Sequence, residues 1–302
     1  MGLVDRAVVR LLPAVPRPVV RRLSQRYIAG PGLADARRTV AALNAQGKLA
    51  TVDVLGEEVT RPEEAEAIAA AYHEALAAIA ADRLQASISV KLTGLGLKVD
   101  RALCASLLRA VVDDAAARGT FVRIDMEDSS CTDDTLELYR GLRAAGVENV
   151  GIVLQASLRR TLADIADLAP LRPNVRICKG IYVEPPAIAF GDAGVIRRSF
   201  LSCLEALLGA GCYVAVATHD EALIQGALER VAGMQPHEYE LQMLLGVREG
   251  RASELVAAGH RLRVYVPYGQ RWYEYSLRRL QENPRLAGYV ARDLLARVLP
   301  GR

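Results

Sequence analysis

Short runs of apolar and β-branched residues alternate along this chain with longer segments in which Ala and Leu recur at helical spacing. The apolar runs lie at residues 49–54, 87–92, 120–126, 150–155, 174–178, 213–218, 238–241 and 262–266. The helical segments between them cover residues 62–81, 101–118, 132–145, 159–168, 195–208, 221–232 and 253–258. Continuous apolar strands that alternate with amphipathic helices are typical of a parallel sheet covered by helices.

This rhythm predicts an α/β fold, a (β/α)8 TIM-like barrel, because eight strand–helix units follow one another. A doubly wound open sheet is the alternative architecture, but no G-x-G-x-x-G motif follows any of the predicted strands. We expect two parts: an N-terminal helical arm at residues 1–46 and a catalytic barrel with C-terminal helices at residues 47–302.

Composition and charge narrow the range of partners. The 302 residues are 51% hydrophobic and carry a formal net charge of only +3, which argues against a nucleic-acid partner. Residues 1–30 nevertheless contain six arginines and one aspartate. We interpret the arm as packing helices with a solvated basic face, and contact with an anionic membrane surface is the alternative. The five cysteines include no C-x-x-C pair, which indicates reduced thiols and a cytoplasmic protein.

Polar residues stand where the predicted strands end. Parallel barrel strands bring their carboxyl ends to one rim, called here the barrel mouth, and catalytic side chains gather there. The residues at these positions are Glu57, Lys91, Asp125, Gln155, Lys179, Thr218, His219 and Tyr265. Only four of the 38 basic residues are lysines, and two of those four belong to this set.

Asp125 lies in the acidic run R-I-D-M-E-D at residues 123–128. Such a run can bind Mg²⁺ through its oxygens, or it can orient Lys91 and cap the following helix, and we favour the second interpretation. No H-x-H or H-x-x-x-H pair includes His219, so we expect this side chain to form hydrogen bonds rather than bind a metal. The sequence therefore predicts no metal site.

The C-terminal segment predicts a lid over the barrel mouth. Helical spacing places Arg278 and Arg279 on one face with Tyr275, and Glu282 lies within reach of either arginine. Adjacent arginines on a helix are often only a solvated face. Here the helix follows the last predicted strand, so the guanidinium groups can reach the mouth and bind one carboxylate in bidentate fashion. The expected ligand is a small carboxylate with an apolar body.

Taken in order, these residues resemble the flavin-dependent proline dehydrogenases of the single-domain bacterial type. The fragments that carry the resemblance are L-G-E at 55–57, S-V-K-L-T at 89–93, I-D-M-E at 124–127, V-L-Q at 153–155, R-I-C-K-G-I-Y at 176–182, A-T-H at 217–219, E-L-Q-M-L at 240–244 and Y-x-x-R-R-L-x-E at 275–282. The resemblance implies a barrel that holds FAD over its strand ends, with the eighth helix lying on the mouth.

The resemblance also implies a substrate site for L-proline. Lys91, Arg278 and Arg279 are implied to bind the proline carboxylate. Tyr275 and Leu244 pack on the pyrrolidine ring in this view, and Tyr265 and Asp125 complete the pocket. Glu57 is implied to pair with Arg278 in a gate at the substrate entrance.

A cofactor site follows from the same resemblance. It implies Arg176 near flavin N5 and Gln155 at the pyrimidine edge. The remaining implied cofactor residues are Lys179, Gly180, Tyr182, Thr218, His219 and Glu282. The loop after the fifth strand lacks a lysine that is usual in relatives. Arg197 or Arg198 is expected to replace that lysine, or else FMN takes the place of FAD.

The implied reaction moves a hydride from C5 of proline to flavin N5 and yields 1-pyrroline-5-carboxylate. The implied partners are a membrane quinone that reoxidises the flavin and a downstream dehydrogenase that takes the product. The basic arm would then contact the inner face of the membrane. Two alternatives stay open: another flavin-binding barrel reductase, such as a methylenetetrahydrofolate reductase-like enzyme, and a flavin-binding sensor without turnover.

Overall fold

The strands of this protein form a closed parallel barrel. The computed structural model describes residues 26–273. Within that range the strands follow one another around the barrel in chain order, and the first strand pairs in parallel with both the second and the eighth. The predicted (β/α)8 architecture is therefore confirmed, and the open-sheet alternative is wrong because the sheet has no free edge.

The elements alternate as the pattern predicts. The strands are β1 Leu49–Val54, β2 Ala86–Val90, β3 Val122–Ile124, β4 Val150–Gln155, β5 Asn174–Cys178, β6 Tyr213–Ala217, β7 Tyr239–Leu244 and β8 Leu262–Tyr268. The α-helices of the described range are α1 Leu33–Asn44, α2 Pro62–Ala81, α3 Arg101–Ala117, α4 Thr132–Ala144, α5 Thr161–Leu168, α6 Ala193–Gly209, α7 Glu221–Arg230 and α8 Glu249–Ala257. Two short 3₁₀ helices, Ser129–Cys131 and Ala169–Leu171, precede α4 and follow α5.

Several boundaries differ from the pattern. The third strand is shorter than predicted at its start, because the Thr120 N–H bonds to the Ala115 carbonyl and so belongs to the end of α3. The seventh strand is longer than predicted and runs to Leu244. Its polar residue Gln242 interrupts the apolar run in the sequence, but the side chain points into the barrel and the strand continues.

Helix α1 covers the barrel beside β8 and β1. Its buried residues Ala36, Val40 and Leu43 belong to the main apolar cluster. The division of the chain after residue 46 stays a prediction, and residues 1–25 lie outside the described range. The expected helix over the mouth also falls outside it. None of the helices between residues 26 and 273 has the length and apolar composition of a membrane span.

The inside of the barrel is polar, which the continuous apolar runs did not predict. Side chains of strands that are not neighbours bond to each other, and such bonds can form only across the interior. Arg123 Nη1 of β3 donates to the Asn174 carbonyl of β5 at 2.6 Å, and Arg263 Nη1 of β8 donates to Ser87 Oγ of β2 at 3.2 Å. The apolar side chains of the same strands pack outward against the helices and form the core.

A buried carboxylate joins the loops after β2 and β3. Glu127 is 3% exposed and accepts hydrogen bonds from the Thr93 N–H at 2.9 Å and from Thr93 Oγ1 at 2.5 Å. Burial raises the pKa of Glu127 from 4.5 to about 7, although the bonds from Thr93 act in the opposite direction.

The protein should lose much of its stability when the buried side chain of Leu76 on helix α2 is truncated. Leu76 is fully buried, so Leu76→Ala is expected to lower the free energy of unfolding by about 2–5 kcal/mol. Leu162 on α5 is 48% exposed and provides the matched control, for which Leu162→Ala should cost less than about 0.5 kcal/mol. Urea unfolding followed by circular dichroism measures both. Equal losses would contradict the assigned core.

The raised pKa of Glu127 makes stability depend on pH. The folded protein keeps the Glu127 proton between the ordinary pKa of 4.5 and about 7, whereas the unfolded chain has lost it. This contribution to stability is therefore complete below 4.5 and is lost as pH rises through about 7. Glu127→Gln should flatten the decline in the free energy of unfolding between about pH 5 and pH 8.

The control for this pH series is Glu63→Gln, at an exposed position of α2. In this variant the free energy of unfolding should fall with pH as steeply as in the wild-type protein. An unchanged slope in Glu127→Gln would show that the carboxyl is not protonated in the folded state.

Candidate active site

Five charged and phenolic side chains meet at the barrel mouth, three from within strands and two from just after strand ends. Asp53 is in β1, Lys91 follows β2, Asp125 follows β3, Arg176 is in β5 and Tyr265 is in β8. Each hydrogen-bonds to another member of the set. The barrel therefore brings together residues that lie up to 212 positions apart in the chain.

Lys91 is held at its ammonium group by two partners. Its Nζ donates to Asp53 Oδ2 at 2.9 Å and to the Tyr265 hydroxyl at 3.0 Å, and it lies 3.5 Å from Asp125 Oδ2. The side chain is 13% exposed. Burial by itself would lower the pKa of Lys91, but Asp53, Tyr265 and Asp125 raise it well above the ordinary value. The group is a permanent cation at neutral pH.

Asp53 is a site residue that the sequence analysis missed. It is fully buried, and its Oδ1 also accepts a hydrogen bond from the Tyr72 hydroxyl of α2 at 3.3 Å. Burial raises the pKa of Asp53 to about 6, against the opposing effect of Lys91. The available signal was a single carboxylate inside a β-branched run, because such a charge has to find a buried partner.

Asp125 is the central acceptor of the group. Its Oδ1 accepts from Ser89 Oγ and from Arg176 Nη1, both at 2.6 Å, and its Oδ2 accepts from the Tyr265 hydroxyl at 3.0 Å. Burial tends to raise the pKa of Asp125, but Arg176 and Lys91 hold it below the ordinary value, so the group is a carboxylate.

The acidic run after β3 contacts Lys91, as the favoured interpretation predicts, but it caps the short helix Ser129–Cys131 and not α4, whose N-terminus has no side-chain cap. Asp125 contacts Lys91, and Asp128 Oδ1 accepts the Ser130 N–H at 2.9 Å at the start of the short helix before α4. Within residues 26–273, no three His, Cys, Asp or Glu side chains form a group that could hold a metal ion.

Arg176 has one donor nitrogen that meets no acceptor between residues 26 and 273. Its Nε donates to Gln242 Oε1 and its Nη1 to Asp125 Oδ1, each at 2.6 Å, and the guanidinium carbon lies 5.4 Å from the centre of the Tyr265 ring. The Nη2 atom is buried and has no hydrogen-bond partner among the residues that the structure describes. A buried unpaired donor costs about 1–3 kcal/mol, so this atom is suited to a bound acceptor at the mouth.

A second group of predicted residues lies at the ends of β4 and β5. Gln155 is 3% exposed, and its Nε2 donates to the Glu127 carbonyl at 2.8 Å. Gly180 has a φ of +99°, and a Cβ at this position would lie 2.1 Å from Ser157 Oγ. This positive φ favours glycine, and the absence of a Cβ lets the turn pack closely against Ser157 and Gln155.

Two further predicted cations meet on one carboxylate. Lys179 Nζ lies 3.3 Å and Arg197 Nε 2.8 Å from Asp220 Oδ2. Arg198 instead lines a cavity of about 230 Å³ together with Phe190 and Arg159. Of the two arginines that could replace the missing loop lysine, Arg197 is therefore the one beside Lys179.

The remaining described residues of the predicted set lie at the ends of β1, β5, β6 and β7. His219 Nε2 accepts the Leu244 N–H at 2.9 Å, so the imidazole is neutral with its proton on Nδ1. Thr218 Oγ1 accepts the Asp220 N–H at 3.1 Å. Tyr182 and Glu57 are half-buried on the rim.

Four predicted residues, Tyr275, Arg278, Arg279 and Glu282, lie outside the described residues. The expected lid and the gate between Glu57 and Arg278 therefore stay predictions.

The residues that sequence reasoning missed share a simple pattern. Polar side chains are spaced two apart within the strands, and at this spacing they share one face of the sheet. The pairs are Thr51 with Asp53, Ser87 with Ser89, and Glu240 with Gln242. This period-two spacing was the available signal for a polar barrel interior.

Comparison with known proteins agrees with this geometry. The family model for proline dehydrogenase matches residues 36–292. Proline dehydrogenase 1 of Bacillus subtilis is 39% identical over 274 residues, which are 90% of each chain. Proline dehydrogenase of Deinococcus radiodurans is 37% identical over 279 residues, again 90% of each chain.

A solved structure, proline utilization A (PutA) from Bdellovibrio bacteriovorus inactivated by N-propargylglycine, has the same fold. Its TM-score is 0.81 at 23% identity over 87% of this chain. This chain spans about a third of that one, since the match covers 33% of it. The resemblance inferred from the sequence is confirmed, because the family model and both relatives cover most of the barrel: the chain belongs to the proline dehydrogenase family.

Proposed function

We propose that this chain oxidises L-proline to 1-pyrroline-5-carboxylate with bound FAD as the hydride acceptor. The observation that carries the proposal is the pair of buried cations at the mouth. Lys91 is charged and its side chain is 13% exposed, and Arg176 next to it has a buried donor without a hydrogen-bond partner among the described residues. Lys91 is suited to bind a substrate carboxylate, and Arg176 is suited to donate to an electron-accepting ring.

Lys91 is the described residue best suited to bind the proline carboxylate. Among the described residues, Asp53 and the Tyr265 hydroxyl accept hydrogen bonds from two of its three N–H groups, and the third is proposed to meet an anion at the mouth. Arg278 and Arg279 are proposed to complete the carboxylate site from the lid. Leu244 and Tyr275 are proposed to pack on the ring, and Glu57 to close the entrance by pairing with Arg278.

The reactive form of proline has a neutral nitrogen, since hydride departs only from that form. Within the described residues Lys91 and Arg176 pair with two carboxylates, Asp53 and Asp125, so these charges balance. The excess positive charge that disfavours a protonated proline nitrogen is therefore proposed to come from Arg278 and Arg279.

The residues at the ends of β4 and β5 fit FAD. When bound, FAD would supply the two-electron acceptor for the hydride from C5. Arg176 Nη2 would donate to the flavin near N5, and Gln155 and Gly180 would meet its pyrimidine edge. Lys179 and Arg197 are proposed to bind the diphosphate, since they meet at Asp220. Two cations at this place favour FAD over FMN. Tyr182, Thr218, His219 and Glu282 would border the rest of the cofactor.

Reoxidation by a membrane quinone is proposed from the resemblance and from the basic arm. Each basic residue near an anionic surface contributes about 1 kcal/mol of attraction. Six arginines in residues 1–30 could hold a cytoplasmic enzyme at the inner face of the membrane. The product is proposed to pass to a separate dehydrogenase.

The family match favours proline oxidation over the methylenetetrahydrofolate reductase-like alternative. A flavin-binding sensor without turnover is separated from an enzyme by one measurement, which is the reaction of the bound flavin with proline in the absence of oxygen.

Without oxygen, proline should bleach the yellow colour of the FAD-loaded protein. The Lys91→Met variant should require a much higher proline concentration for the same bleaching. The variant loses one charged hydrogen bond to the carboxylate, so the proline concentration for half-bleaching should rise about 10- to 100-fold. Flavin content should stay near that of the wild-type protein. Stopped-flow absorbance provides the measurement.

Lys98→Met is the matched control for this experiment. Lys98 lies on the rim with Glu58 and Asp128 and is 39% exposed at its side chain, so its loss should leave half-bleaching unchanged. A wild-type flavoprotein that proline does not bleach would refute the proposed function.

Arg278→Met tests the proposed lid. The variant should raise KM for proline much more than it lowers flavin content, because it removes a guanidinium from the carboxylate and not from the cofactor. Arg109→Met, in an exposed ion pair of α3, is the control. Unchanged proline kinetics in a flavin-loaded Arg278→Met protein would refute the carboxylate assignment.

A further inference from the structure

Two polar side chains of β7 lie behind Arg176 and have no role in the site as proposed above. Gln242 Oε1 accepts from Arg176 Nε at 2.6 Å, and Gln242 Nε2 donates to Glu240 Oε1 at 2.5 Å. Both side chains are buried, Gln242 at 6% and Glu240 at 2% exposed. A continuous line of hydrogen bonds thus leads from an acidic group inside the barrel, through a neutral amide, to the guanidinium at the mouth.

Glu240 allows only one orientation of the Gln242 amide. A guanidinium is solely a donor, and an ionised carboxylate is solely an acceptor. The amide must therefore turn its oxygen to Arg176 and its nitrogen to Glu240. Glu240 is kept ionised by Arg263, whose Nε lies 2.9 Å and 3.0 Å from its two oxygens. Burial tends to raise the pKa of Glu240, but Arg263 holds it below the ordinary value.

This fixed amide determines how Arg176 is held. The guanidinium is planar and rigid, so two anchors at different nitrogens define both its plane and its direction. Gln242 anchors Nε and Asp125 anchors Nη1. The remaining nitrogen, Nη2, then has one direction, and it is the atom for which the described part of the chain supplies no hydrogen-bond partner.

We propose that Gln242, held in one orientation by Glu240, is a positioning residue that directs Arg176 Nη2 toward the flavin ring. This inference rests on the proposed function, since it takes the flavin as the partner of Arg176. Its consequence is specific. A donor aimed at the place where negative charge arrives strengthens the electron acceptor, whereas the contacts of Lys91 with Asp53 and Tyr265 do not involve Gln242.

Gln242→Met tests the proposal, because methionine has nearly the same length but no acceptor for Arg176 Nε. The midpoint potential of the bound FAD should shift to a more negative value, measured by reductive titration without proline. We expect kcat to fall about tenfold while KM for proline changes by less than about twofold. FAD titration of the apoprotein should show weaker binding than in the wild-type protein.

Met243→Leu is the matched control on the same strand. Met243 is buried in the apolar cluster on the opposite face of β7, so this change perturbs packing without touching the amide. It should leave the potential and the ratio of kcat to KM as in the wild-type protein.

Gln242→Glu provides a second and independent readout, which decides the question if Gln242→Met does not fold. The new carboxylate keeps an acceptor for Arg176 Nε, but it lies next to Glu240, where two carboxylates must share a proton. The potential and kcat of this variant should therefore depend on pH in a way that those of the wild-type protein do not.

The outcomes distinguish a failure of the positioning role from a failure of the proposed function. If the wild-type protein binds FAD and oxidises proline, and both Gln242 variants match it in potential, pH profile and kinetics, the positioning role is refuted and the proposed function stands. A fall in kcat together with an equal rise in KM would also refute it, because that pattern indicates a general structural defect. A wild-type protein that neither binds FAD nor oxidises proline would overturn both.

Discussion

The structure depends on pairing charges inside a closed barrel. Lys91, Asp53, Asp125 and Arg176 are all buried or nearly so, and each would be costly to bury alone. They are stable there because every cation meets a carboxylate and every carboxylate accepts several hydrogen bonds. Since the partners come from different strands, the pairing also requires the closed barrel and its register.

The same pairing makes the site rigid before any substrate arrives. Lys91 is held by Asp53 and Tyr265, and Arg176 by Asp125 and Gln242. Preorganised charges of this kind need no rearrangement during a reaction, which is the main source of electrostatic catalysis. A second layer lies beneath them. Burial and the neighbouring Arg176 lower the pKa of Arg123 to about 9. The carboxylate Glu240 acts in the opposite direction on Arg123 and also pairs with Arg263.

Much of this molecule could be predicted from its sequence. The repeated strand and helix pattern predicted the barrel, and barrel geometry placed Lys91, Asp125 and Tyr265 together at the mouth, where the structure has them. Asp53 was missed because it lies inside an apolar run and was counted as part of a strand, and Gln242 because the predicted seventh strand ended one residue before it. Their partners are distant in sequence, and hydrophobic periodicity contains no information about which inward-facing residues meet across the barrel.

The sequence by itself determined the order of the elements, the class of fold and the family, because these follow from local periodicity and from motifs in a fixed order. It also determined which polar residues stand at strand ends. Only the tertiary structure decided that Lys91 shares Asp53 with Tyr72, that Arg197 rather than Arg198 joins Lys179, and that Gln242 holds Arg176. The reason is physical: hydrogen bonds and ion pairs depend on distances of about 3 Å across the barrel, and those distances exist only after the strands have closed.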